Sequence, residues 1–136
     1  MDVIALIGRI LFVILFLGSA AGHLTQTDAM AGYAAAKGVP SAKLATLGSG
    51  VLMVVGALSL LLGVWADLGA VLLVVFLLPT AFLMHAFWKE TDPRAKQLEM
   101  ISFNKDVALA GGALMFFGLY AGVGSDLGLT LTGPLF

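Results

Sequence analysis

The sequence contains no cysteine. That excludes disulfides, thiolate metal sites and any thiol relay carried by this chain. Charge is also scarce: charged residues make up 11% of the chain against 60% hydrophobic. A soluble globular domain is nearer half apolar and about a quarter charged. So few charged groups cannot cover so much apolar surface, and the chain needs lipid as its solvent. The net charge is -1, so no basic field draws nucleic acid. There is no G-x-x-x-x-G-K-[ST] segment, and the glycines lie in apolar runs, so a nucleotide-binding loop is not expected. Ser19 and Thr25, the hydroxyls near a histidine, have no nucleophile context. The apolar runs do not alternate with period two, which argues against a membrane β-barrel.

What is present is four long apolar runs: Val3 to Ala21, Leu44 to Trp65, Leu68 to Trp88 and Val107 to Val123. About 17 to 25 residues of helix cross a ~30 Å hydrocarbon core, so each run is long enough. Backbone polar groups in lipid must be satisfied internally, and helices do that within one segment. The expected fold is all-α: one transmembrane domain over residues 1–136, an integral membrane four-helix bundle with spans near 3–21, 44–65, 68–88 and 107–123. The first run lacks the basic start of a signal peptide, since Asp2 follows Met1, and is read as a retained span.

The first loop, 22–43, is expected to hold a short interfacial helix from Asp28 to Lys37. Thr27 is expected to cap its start, and Gly38 and Pro40 to end it. Ser41 is the expected cap of span two. Ala66 and Asp67 are expected to join spans two and three as a tight antiparallel hairpin. Pro79 sits mid-span and removes one helical hydrogen bond near the Val75 carbonyl, where Thr80 offers a substitute donor. Gly18 and Gly22, Gly118 and Gly122, Ala108 and Gly112, and Gly56 and Gly63 repeat small residues on single helix faces. That spacing predicts close helix packing. Trp65 and Trp88 read as belt residues at opposite interfaces.

The basic residues are unevenly shared. Loops 22–43 and 89–106 carry Lys37, Lys43, Lys89, Arg94, Lys96 and Lys105, while the opposite side has only Arg9. Lys and Arg accumulate in cytoplasmic loops. Loops one and three are therefore expected in the cytoplasm and both termini outside.

Five residues are candidates for ligand binding: Arg9, His23, His85, Asn104 and Asp106. Arg9 lies inside span one, where a charge is costly and is normally paired. Its partners on that side would be Asp2, Asp67 or Asp126, or it snorkels to the headgroups. The sharper reading is that it holds an anionic or carbonyl ligand. His23 and His85 lie at the opposite edge with Glu99, Asn104, Lys105 and Asp106. An interfacial histidine is most simply wetted by water. It can also hydrogen-bond a quinone carbonyl, move a proton, or ligate metal or haem. Two histidines without a spacing motif are weak grounds for a metal, and none is expected.

Taken in order, several segments resemble the DoxX family of small bacterial four-helix membrane proteins. These are Arg9, the Gly22-His23 end of span one, Gly38-Val39-Pro40, the glycine-rich span two, Ala81 and His85, Asn104-Lys105-Asp106, and the closing Gly122-Val123-Gly124-Ser125-Asp126. The resemblance covers nearly the whole chain. The sequence departs from the common pattern at His23, where a lysine is frequent, and at Ser49-Gly50, where an acidic residue is frequent. Ser125 and Asp126 are adjacent here, where the family usually places an apolar residue between them. The family takes its name from a subunit of a thiosulfate:quinone oxidoreductase. Other members resemble membrane partners of redox-stress enzymes. The resemblance thus implies an accessory or anchoring subunit of a redox or respiratory complex, within a larger protein complex or a homo-oligomer. An alternative is a quinone-binding component of a quinone-linked oxidoreductase, with quinone as the possible cofactor. A third is a small transporter or lipid-handling protein. Catalysis by the chain alone is not expected.

Overall fold

A computed structural model of the chain describes residues 2–136, apart from the side chain of Ser125. It has five α-helices: α1 (Asp2–Thr25), α2 (Thr27–Ala36), α3 (Ala42–Leu62), α4 (Ala66–Met84) and α5 (Pro93–Val123). Short 3-10 turns follow α4 at Phe87–Lys89 and α5 at Gly124–Asp126. No strand occurs among the described residues. Helices α1, α3, α4 and α5 are long and apolar enough to cross a membrane.

In the bundle α1 packs on α3, α3 on α4, and α4 on α5, with α2 lying on α3. Two ends result. The loop face carries α2 and the α4–α5 connection. The terminal face carries the start of α1, the α3–α4 turn and the C-terminal segment.

Helices α3 and α4 approach each other closely. A Cβ on Gly69 would overlap Ser59 Oγ and lie 2.9 Å from the Gly56 carbonyl oxygen. The glycines thus let two backbones meet, as small residues do in membrane helices. Gly50 makes room instead for side chains of α1, where a Cβ would meet Leu24 Cδ2 at 2.9 Å. Between α1 and α5 the gap is filled by rings. Phe12 stacks near Phe16 at 5.2 Å and Phe116 at 5.1 Å, and it lies over Gly112. Gly18, Gly118 and Gly122 instead face away from the bundle, with no atom within 4 Å of a would-be Cβ. Their spacing does not serve packing inside this chain.

Several boundaries differ from those expected. The α3–α4 turn is Gly63-Val64-Trp65, not Ala66-Asp67. Gly63 (φ 64°) and Trp65 (φ 45°) take left-handed backbone there. The apolar run continues through Val64 and Trp65, so hydropathy alone hides the stop that Gly63 makes. Asp67 lies instead in the first turn of α4. Thr27 does not cap α2, since its hydroxyl donates to the His23 carbonyl at 2.8 Å. Ser41 precedes α3 without a side-chain capping bond. Helix α4 runs on through Pro79, and Thr80 Oγ1 donates to the Phe76 carbonyl at 2.7 Å, one residue beyond the carbonyl that the proline frees.

The last helix differs most. It starts at Pro93, well before the apolar run at Val107, and Asp92 caps it by accepting from Ala95 N at 2.8 Å. Its 31 residues make a rod of about 46 Å at 1.5 Å per residue. That exceeds the ~30 Å hydrocarbon core. Its polar first turns therefore stand at the loop face, carrying Glu99 to the end of the bundle.

Candidate functional site

At the loop face the helices α1, α3, α4 and α5 part around a cavity of about 550 Å³, with α2 along its side. Apolar side chains form most of its wall. Its polar residues include His23, Ser49, His85, Lys105 and Asp106. Three of the five candidate residues therefore meet at one place. Leu15, Val75 and Leu83 also border the cavity, and they are 42%, 54% and 52% exposed on the outside of the bundle. The wall thus continues onto the lipid-facing surface.

His23 is fixed by α3. Its Nδ1 lies 2.8 Å from Ser49 Oγ and 3.2 Å from the Thr46 carbonyl oxygen. Phe76 meets the ring edge-on at 6.2 Å. Two of the positions that depart from the common DoxX pattern, His23 and Ser49, therefore touch one another.

His85 caps the end of α4. Its Nδ1 donates to Glu99 Oε2 at 2.7 Å, and its Nε2 lies 3.6 Å from Asp106 Oδ2. Glu99 and Asp106 are seven residues apart on α5, two helical turns, which places both on the face that His85 meets. Lys105 Nζ stands 3.4 Å from Asp106 Oδ1. Outside His85 the network continues. Glu99 Oε1 accepts from Lys37 Nζ at 2.7 Å and from the Tyr33 hydroxyl at 3.0 Å. Lys37 also reaches Glu90 at 2.8 Å. Glu90 and Glu99 hold the Lys37 ammonium well above the usual lysine range. Burial, and then Glu99, push the Tyr33 hydroxyl up as well. Asp28 is lowered by Lys43, its 2.8 Å partner at the exposed end of α2.

Lys37, Tyr33 and Glu90 were missed as site residues by sequence reasoning. Tyr33 and Lys37 did share one face of the predicted surface helix at four-residue spacing. What they meet is 53 or more positions away in the chain, and no local pattern carries that.

The other two candidates lie elsewhere. Asn104 is exposed on α5 and does not border the cavity. Arg9 is 1% exposed at the terminal face. It neither snorkels nor pairs with Asp2, Asp67 or Asp126, since no ion pair joins it to a carboxylate among the described residues. Its Nη2 instead donates to the Leu129 carbonyl at 2.7 Å. The reason is the C-terminal segment, which folds back over the α3–α4 turn. There Leu131 N donates to the Leu62 and Gly63 carbonyls, and Thr132 N to Gly63. Asp67 Oδ2 accepts from Leu135 N and Phe136 N, each at 2.7 Å. Arg9 Nε and Nη1 and Asp67 Oδ1 have no protein partner among the described residues.

Fold and cavity together define a class: a small multi-pass α-helical membrane protein with an apolar interhelical cavity that ends in titratable side chains. The chain belongs to the DoxX family, whose profile matches residues 4–86. It is also 33% identical to the inner membrane protein YphA of Escherichia coli (strain K12) over 132 residues, which is 97% of this chain and 84% of that protein. No solved structure matches it. The four apolar helices and this relative mark the chain as a multi-pass protein of an inner membrane.

Proposed function

We propose that the chain is the membrane-embedded accessory subunit of a quinone-linked redox complex, and that the loop-face cavity holds the quinone headgroup. The observation that carries this reading is the cavity itself. At about 550 Å³ it lies within the ~300–1,000 Å³ range of small-molecule sites, with apolar walls and a few polar groups at one end. Its wall extends onto the lipid-facing surface, so a ligand dissolved in the bilayer has a sideways approach. The anchoring part of the reading draws support from α5. Gly111, Gly118 and Gly122 leave open space outside the bundle, where a partner's helix can approach closely.

The loop face is the cytoplasmic face in this proposal. It carries six basic residues, while Arg9 is buried and faces no loop. A cysteine replacing Lys96 is then shielded from an external impermeant thiol reagent in intact cells, and ready labelling reverses the orientation.

Mass spectrometry of what co-purifies in mild detergent tests the function. A stoichiometric redox enzyme together with a bound quinone is the expected result. Replacing His85 with Ala is expected to weaken quinone retention. Quinone without a protein partner removes the subunit role and leaves a quinone-binding protein. Lipid alone sinks the proposal in favour of lipid handling or transport.

A further inference from the structure

Quinones and quinols differ in hydrogen-bond chemistry. A quinone carbonyl only accepts, whereas a quinol hydroxyl also donates. The polar atoms of the cavity therefore discriminate between the two forms.

At His23 the deciding contact is the one Ser49 makes. Its hydroxyl donates to the Thr46 carbonyl at 3.0 Å. With its proton used there, Ser49 Oγ faces His23 Nδ1 at 2.8 Å as an acceptor. The Thr46 carbonyl, 3.2 Å from the same nitrogen, is an acceptor too. Two acceptors on one ring nitrogen assign the proton to Nδ1, a tautomer set by its partners. In the neutral ring Nε2 is then a bare acceptor, and it has no hydrogen bond among the described residues.

Asp106 is short of donors in the same way. Its side chain is 5% exposed and borders the cavity. Its cationic or ionisable neighbours stand off, with Lys105 Nζ at 3.4 Å and His85 Nε2 at 3.6 Å. Charge-assisted hydrogen bonds are shorter, near ~2.7–2.9 Å. The other nitrogen of His85 is already engaged by Glu99 at 2.7 Å. Two acceptors with no close donor, His23 Nε2 and the Asp106 carboxylate, thus border one apolar cavity with their accepting capacity open to it.

From this we infer that the cavity is built for a hydroxyl donor, the hydroquinone form of a lipid quinone, with its hydroxyls donating to His23 Nε2 and Asp106. The inference rests on the quinone reading of the cavity and specifies its redox form. Binding involves no electron or proton transfer.

The test uses the full chain in lipid nanodiscs, with a short-chain ubiquinol and the matching ubiquinone as probes. The quinol is expected to bind about tenfold tighter, the size of one buried hydrogen bond made or lost. Asp106→Asn supplies an amide donor in place of a charged acceptor, and the preference is expected to shrink below about threefold. Nitrogen-15 NMR of His23 in the unaltered chain gives a readout that needs no variant. It is expected to show a protonated Nδ1 and a bare Nε2. Equal binding of the probes, or tighter binding of the quinone, overturns the inference and leaves the quinone site standing. A bare Nδ1 overturns it too. Binding of neither probe removes the quinone site and the inference with it.

Discussion

At the terminal face Asp67 is fully buried, and one of its oxygens receives two backbone N–H groups, from Leu135 and Phe136. At the loop face Asp106 is almost as buried, and no donor comes closer than Lys105 at 3.4 Å. Arg9 and His85 differ in the same sense. Arg9 is met by a backbone carbonyl of the C-terminal segment, and His85, at the cavity's edge, by the Glu99 carboxylate at 2.7 Å with Asp106 farther off at 3.6 Å. One end closes over its buried groups with the chain's own backbone, which meets Asp67 Oδ2 and Arg9 Nη2 and leaves Asp67 Oδ1, Arg9 Nε and Arg9 Nη1 sealed in without a protein partner among the described residues. The other gathers titratable side chains around an opening. A buried polar group met by fixed backbone is structural in character. One left short of partners beside a cavity has its remaining capacity directed at a ligand.

Releasing the backbone closure gives the largest expected effect. Replacing Asp67 with Ala removes two hydrogen bonds to a charged acceptor, each worth about 1.5–3 kcal/mol. Local opening of the C-terminal segment is then expected to rise by about 100-fold or more, read as amide exchange at Leu135 and Phe136. The cavity end is expected to keep its ligand affinity. Loss of that affinity would join the two ends energetically and dissolve the contrast. Next in size is the α3–α4 contact that holds both ends in place. Gly69→Ala forces a methyl against Ser59 and the Gly56 carbonyl, and overpacking of this kind costs about 1–3 kcal/mol. Thermal unfolding in detergent should show a clear drop in midpoint, while Gly118→Ala, on an open face, should show none.

A smaller effect is expected within the loop face. Glu99→Gln weakens contacts to Lys37, His85 and Tyr33 together. These groups are partly exposed, with 13% to 22% of the side chain accessible at Lys37, Glu99 and His85, so screening reduces the loss to about 1 kcal/mol. Asp28→Asn breaks a pair that is 67% and 86% exposed, and no change in melting is expected. Equal effects from the two variants would show that α2 is held by packing alone.

The spans were legible from hydropathy, because lipid leaves a chain few ways to satisfy its backbone. Asp106, His85 and His23 were legible as polar residues near one membrane edge. Asn104 was grouped with them by proximity in sequence, but its place on the helix turns it outward. Arg9 was legible as unusual and its partner was not. The partner is a backbone carbonyl 120 positions away, and a carbonyl leaves no mark in the sequence. The start of α5 was hidden for a related reason. Residues 93–106 include Arg94, Lys96, Glu99, Lys105 and Asp106, and charge alone does not separate a protruding helix from a loop.

The smallest expected effect concerns pH, and it tests whether the outer network clamps α2. The Lys37 ammonium is held above its ordinary value of 10.5 by Glu90 and Glu99. A folded-state pKa raised in this way contributes stability that is fully present below the unfolded value. It is lost only as pH climbs through the raised one. The Tyr33 hydroxyl is raised from 10.0, chiefly by burial and next by Glu99, so it too keeps its proton beyond the ordinary range. Neither anchor of α2 therefore changes charge between about pH 6 and pH 9. Opening of α2, read by amide exchange corrected for the base-catalysed intrinsic rate, should be flat across that window. A rise by pH 9 would mean that Lys37 titrates near or below the free value, and that its two carboxylates do not hold it in the membrane-bound protein. A flat profile that turns upward once Glu99 is replaced by Gln would assign the clamp to that carboxylate. The titratable end would then differ from the backbone-closed end in a way that pH can reach.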